Sequence, residues 1–194
     1  MSRKGVQVSA LFAVALTMVL PAWAQGGGTA SIRLRSFEEV PAISSLAEGR
    51  FTVSLNGQGT SLSYELSYSG LRGSVTQAHI HVAQPGVNGG IVIFLCSNLG
   101  NGPAGTQPCP ASGTVSGTVT AANVVGSASA QGVAAGELPR VIRAMRNGVT
   151  YVNVHSTLFP GGEIRGQLKL GRKSGEGDEA EAEAFEDPMD HMHH

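Results

Sequence analysis

Two histidines stand one residue apart in AHIHVAQPGVNGG, residues 78–90, and a third closes YVNVH, residues 151–155. Both stretches alternate apolar and polar residues, the pattern of a β-strand whose successive side chains point to opposite faces. Ile80 and Val82 share a face with Ala78, while Gln77, His79 and His81 share the other. Val152 and Val154 likewise oppose Tyr151, Asn153 and His155, and in GEIRGQL Ile164 and Leu168 oppose Glu163, Arg165 and Gln167. At a strand rise of about 3.3 Å per residue, His79 and His81 are separated by about 7 Å at Cβ, close enough for both rings to reach one ion. His155 supplies a third ligand if its strand lies beside theirs. Three neutral imidazoles suit copper or zinc, and the general affinity order favours copper for nitrogen donors. Asn153 and Gln167, on the same faces, are placed to hydrogen-bond the ligands. The plainer reading is a solvated polar face, its histidines turned to water and Arg165 paired on the surface with Glu163 or a carboxylate across the sheet.

The elements that must position these residues read as an all-β domain. Glycine is abundant, at 27 of 194 residues, and supplies the tight turns that short strands need. Strands are expected at 31–35, 50–55, 60–69, 74–82, 91–96, 112–119, 149–155 and 162–169, with Asn56-Gly57 as a hairpin signal between the second and third. Residues 136–148 space Leu138, Ile142 and Met145 at helical intervals and predict one short helix stopped at Gly148. About eight strands and one helix suggest a Greek-key β-sandwich.

The flanks differ from this domain. Residues 1–24 join a basic start (Arg3, Lys4), an apolar run and the small-residue site Ala22-Trp23-Ala24, and read as a signal peptide cleaved before Gln25. Export to the periplasm or beyond the cell follows, with no membrane span left after cleavage. Residues 25–30 read as a flexible lead-in, and 31–170 as the domain. Cys96 and Cys109 bracket a loop rich in Gly, Pro and Asn; in an exported chain such a pair is expected as a disulfide. Residues 171–194 hold eight acidic residues against two basic ones and predict a disordered tail. The tail ends in Met189, His191, Met192, His193 and His194, donors that suit copper in either oxidation state; it reads either as an auxiliary metal-collecting group or as a solubilising tail whose histidines do nothing.

Charge narrows the function. From Gln25 to Leu170 nine basic residues face six acidic ones with no basic cluster, which argues against nucleic acid as a partner. The same span has no aspartate, which removes a Ser-His-Asp triad from consideration.

AHIH, then YVNVHS and PGGEIRGQL, within a match from about Ser31 to Leu168, resemble the CHRD domain, the module first described in chordin and found in bacterial exported proteins. That resemblance implies an extracellular setting, where chordin binds a protein partner. HIH, NVH and a late arginine are also similar to the pattern of copper-zinc superoxide dismutases, themselves Greek-key sandwiches. This second resemblance implies copper on His79, His81 and His155, and Arg165 as a guide for superoxide or another small oxidant. No further histidine in the domain could bridge to a zinc ion. Three functions follow as expectations: copper sequestration or delivery, a copper-only dismutase-like enzyme, or a protein-binding module without metal.

Overall fold

A computed structural model describes residues 27–171. Eight antiparallel strands form one sheet: β1 (Gly28–Arg35), β2 (Glu48–Leu55), β3 (Leu62–Ser69), β4 (Val75–Val82), β5 (Gly90–Ser97), β6 (Gly113–Val119), β7 (Thr150–Ser156) and β8 (Ile164–Leu168), with one α-helix, α1 (Leu138–Arg146). Their lateral order is β5-β4-β7-β8-β1-β2-β3-β6. β7 returns to lie beside β4, and β6 beside β3, which are Greek-key connections. The two halves expected to face each other as separate sheets are joined at a narrow seam, where Arg35 on β1 pairs with Arg165 on β8.

The outer edges meet as well, so the sheet is nearly closed. Val125 N donates to Val92 O at 2.9 Å, and Tyr64 Oη donates to Leu95 O at 2.8 Å. Closure leaves little free sheet edge for another chain to pair with. The enclosed face holds the core, where Leu34, Phe51, Leu66, Ile80, Ile93, Val154, Ile164 and Leu168 are buried. α1 begins with Pro139 in its first turn and buries Leu138, Val141, Ile142 and Met145. Burying one such apolar side chain contributes about 1.5–3 kcal/mol. The Cys96–Cys109 disulfide is formed and ties the end of β5 to the loop before β6.

Element boundaries fall close to those expected from sequence, with one shift at the start. β1 begins at Gly28 rather than Ser31, so residues 28–30 pair with Val53–Leu55 of β2. The larger difference lies on the outer face of β4, β7 and β8. Every residue of β7 is buried, because loops fold over the face opposite the core. A strand covered on both faces loses the exposed–buried alternation even while its sequence keeps the polar–apolar one.

Candidate metal centre

β4 lies between β5 and β7, and the register sets His79 opposite Asn153, His81 opposite Tyr151, and Gln77 opposite His155. His155 is therefore one diagonal step from His79. The three rings converge, with centroids 4.9 Å apart for His79 and His155, 5.4 Å for His79 and His81, and 6.3 Å for His81 and His155. One ligand nitrogen from each lies within 4.8 Å of the others.

These histidines are not solvated. His79 is fully buried, and His81 and His155 are each 6% exposed, which corrects the reading of a water-facing strand surface. Phe94 of β5 meets the His79 ring edge-on at 4.4 Å. Tyr151 stacks on His81 at 4.6 Å, with planes 5° apart.

Backbone carbonyls fix the tautomers of two rings. His81 Nδ1 donates to Gly89 O at 2.9 Å, and His155 Nδ1 donates to Pro160 O at 2.9 Å. A carbonyl oxygen only accepts, so in both rings Nδ1 holds the proton and Nε2 keeps its lone pair. His79 Nδ1 faces His155 Nε2 at 3.1 Å, which makes His79 the donor and leaves its own Nε2 with a lone pair. The Nε2 atoms of His79 and His81 are buried without a hydrogen-bond partner, an arrangement that costs stability unless something takes the lone pairs. Burial, followed by the neighbouring imidazoles, lowers the pKa of His79 to about 2. Burial also dominates at His81, pulling it down to about 4 against the opposing pull of the Gly89 carbonyl, and it lowers His155 too. All three are neutral at pH 7, the form a metal ion needs.

The donor set fits a metal ion. It offers three neutral nitrogens, backbone hydrogen bonds behind two of them, and buried lone pairs on His79 and His81 that no protein group takes up.

The surrounding residues divide. The Asn153 side chain lies 3.0 Å from His155 Nε2, so it meets the candidate ligand nitrogen itself, while the far nitrogen of that ring is held by Pro160 O. Gln167 does not reach the cluster: its amide donates to Ala83 O and Gly148 O. Arg165 is 2% exposed and is not paired with Glu163. Its Nη2 donates to Val87 O at 2.7 Å and its Nη1 to Asn88 Oδ1 at 3.1 Å, and its guanidinium carbon lies 3.4 Å from the Tyr151 ring centroid. Glu163 instead accepts from Ser45, Ser156 and the Arg72 backbone N–H.

Sequence reasoning missed the covering loops. Asn88 receives Arg165 and donates to Val40 O at 2.9 Å, so it pins the loop between β4 and β5 to the segment after β1. Gly89 follows at a point where a Cβ would come within 1.8 Å of Val82 O; only glycine lets its carbonyl reach His81. Glu39, from the same segment, is 5% exposed with Oε1 unpartnered. Burial raises its pKa to about 7 despite the nearby Arg165 charge. The turn-rich string PGVNGG was the one available signal of a close-packed loop. Met189, His191, Met192, His193 and His194, and the expected signal segment 1–24, lie outside the described residues.

Compared with known families, residues 30–168 match the family model of the CHRD domain. No curated protein and no solved structure matches the chain.

Proposed function

The chain belongs to the CHRD-domain family, and from that premise we propose that it is an exported protein that holds copper through His79, His81 and His155, for sequestration or delivery. The observation that carries this reading is the burial of three neutral imidazoles with their ligand nitrogens within 4.8 Å of one another. The disulfide suits an oxidising compartment. No helix among the described residues is long and apolar enough to cross a membrane.

The chain's own residues prepare the site. The Gly89 and Pro160 carbonyls aim two imidazoles, Phe94 and Tyr151 wall it with aromatic surface, and Arg165 with Asn88 holds the covering loop down. When bound, copper would supply a strong nitrogen-held cation, the basis of storage or hand-over. Holding is favoured over turnover of superoxide because the ligands are almost closed to solvent and the Arg165 guanidinium is already committed to Val87 and Asn88, which leaves it poorly placed to guide an anion. Zinc remains compatible with the same donors.

Electron paramagnetic resonance of the Cu(II)-loaded chain from Gln25 onward tests this reading. Splitting from three equivalent-type nitrogens, lost in His79→Ala/His81→Ala, is the expected result, with superoxide consumption no faster than for free buffer. A spectrum unchanged by the double substitution would place copper elsewhere.

A further inference from the structure

Three imidazoles that bind in the neutral form bring no negative charge to a cation, and the fixed charge beside them has the wrong sign. β7 lies between β4 and β8, so Tyr151 has His81 against one side, 4.6 Å away, and Arg165 against the other, 3.4 Å from the ring centroid. Arg165 is buried, and its charge already disfavours a further positive charge on His81. A cation added to such a site without an anion is strongly penalised, because little solvent is present to screen it.

Glu39 is placed to supply the anion. It is 5% exposed, and its Oε1 has no hydrogen-bond partner. The carboxyl fills the space against Gly162, where φ is 130° and a Cβ would collide with it. Gly162 follows Pro160 by two residues, and the Pro160 carbonyl holds His155. The field of Glu39 also reaches Arg165 and Tyr151. Glu39 therefore borders the histidines twice, through the Arg165–Tyr151–His81 stack and through the turn that carries Pro160. The other charged groups of these elements are committed or lie in water. Glu163 accepts from Ser45, Ser156 and the Arg72 backbone N–H, while Arg35, Glu38, Glu48 and Arg72 are exposed. The covering loop 83–89 contains no charged residue. Burial raises the pKa of Glu39 to about 7 against the pull of Arg165 and the Val40 N–H, so near neutrality the carboxyl can either keep its proton or give it up.

We infer that Glu39 is the counter-charge of the histidine cluster: it gives up its carboxyl proton to solvent when a dication enters the three imidazoles, and the carboxylate balances the added charge. The inference rests on the proposed metal site and adds to it a linkage between metal and protons. By that linkage, the protons released on binding set how steeply affinity rises with pH. Glu39→Gln keeps the shape of the neutral acid and has no proton to release.

Two measurements on the chain from Gln25 to His194 test the inference. The first titrates the metal-free parent, Glu39→Gln and His79→Ala/His81→Ala with Cu(II) in weakly buffered solution near pH 6 and follows proton release with an indicator dye. Over the uptake that the double histidine variant loses, the parent is expected to release about one proton per ion more than Glu39→Gln, since every other group contributes alike in both. The parent's affinity is likewise expected to rise about tenfold more than the variant's between about pH 5.5 and 7. The second records the infrared difference spectrum of the unsubstituted chain on loading, where loss of the C=O stretch of a protonated carboxylic acid is expected. Equal proton release from parent and Glu39→Gln, or an unchanged carboxylic acid band, overturns the coupling and leaves the metal site standing. Uptake and proton release unaffected by His79→Ala/His81→Ala sink the metal site and the coupling together.

Discussion

His79 Nδ1 lies 3.1 Å from His155 Nε2, across 76 residues of sequence and within the outer face of one sheet. The contact makes His79 the hydrogen-bond donor in the absence of metal, and it leaves the other nitrogen of that ring buried with no protein group to bond it. Buried polar atoms of this kind are retained against their cost when they serve a ligand.

Replacing His79 by Leu should therefore trade function for little stability. The metal-free variant is expected to unfold within about 1–2 kcal/mol of the parent, since a desolvated polar ring is exchanged for an apolar side chain. The stabilisation by bound copper, about 4 kcal/mol at a thousandfold excess over Kd, should vanish. Thermal unfolding with and without Cu(II) measures both; retention of the copper-dependent rise would exclude His79 as a ligand.

Acid should destabilise the metal-free protein. The histidine pKa values fall in the folded state, to about 2 at His79 and about 4 at His81, from an unfolded value near 6.5. The unfolded chain then binds more protons, so their contribution is present above about pH 6.5 and is lost as pH falls toward about 4 and below. Glu39 acts oppositely: its pKa rises to about 7, and its contribution, full below about pH 4.5, is lost as pH climbs to 7. Denaturant unfolding across pH 4–8 should show net loss of stability on the acid side, and Glu39→Gln should steepen it.

The fold and the histidine cluster were legible because strand periodicity is written in alternating residue types. Ile80 and Val82 against His79 and His81 specify faces whatever covers them, and the Asn56-Gly57 turn and the Gly148 stop mark ends locally. The covering was not legible. Whether a polar strand face meets water or a loop depends on contacts such as Asn88 with Val40 and Arg165 with Val87, between segments 48 and 78 residues apart. Periodicity has no access to such distances, so Arg165 read as an anion guide or a surface ion pair and Gln167 as a ligand support. The closed sheet was equally hidden, since its seam rests on the single Arg35–Arg165 register pair.

Asn88→Ala should open the covering loop. It removes one partner of the buried Arg165 and the tie to Val40, for an expected loss of about 1–3 kcal/mol. Copper per chain should stay the same while its release to a chelator speeds about tenfold. Stopped-flow chelation measures the rate, and an unchanged rate would show that the loop does not control access.

Removing the disulfide should weaken the fold without removing the site. The bond closes a separation of 13 residues, which corresponds to about 3 kcal/mol in the chain-entropy account. Cys96→Ala/Cys109→Ala is expected to lose that amount in denaturant unfolding and to keep its copper, because neither cysteine contacts the histidines.

The central claim is tested most directly by elemental analysis of copper and zinc in residues 25–171, beside the same span with His79→Ala/His81→Ala. One copper per chain, absent from the variant, is the predicted result. No metal in either protein, or equal metal in both, would contradict a copper centre at His79, His81 and His155.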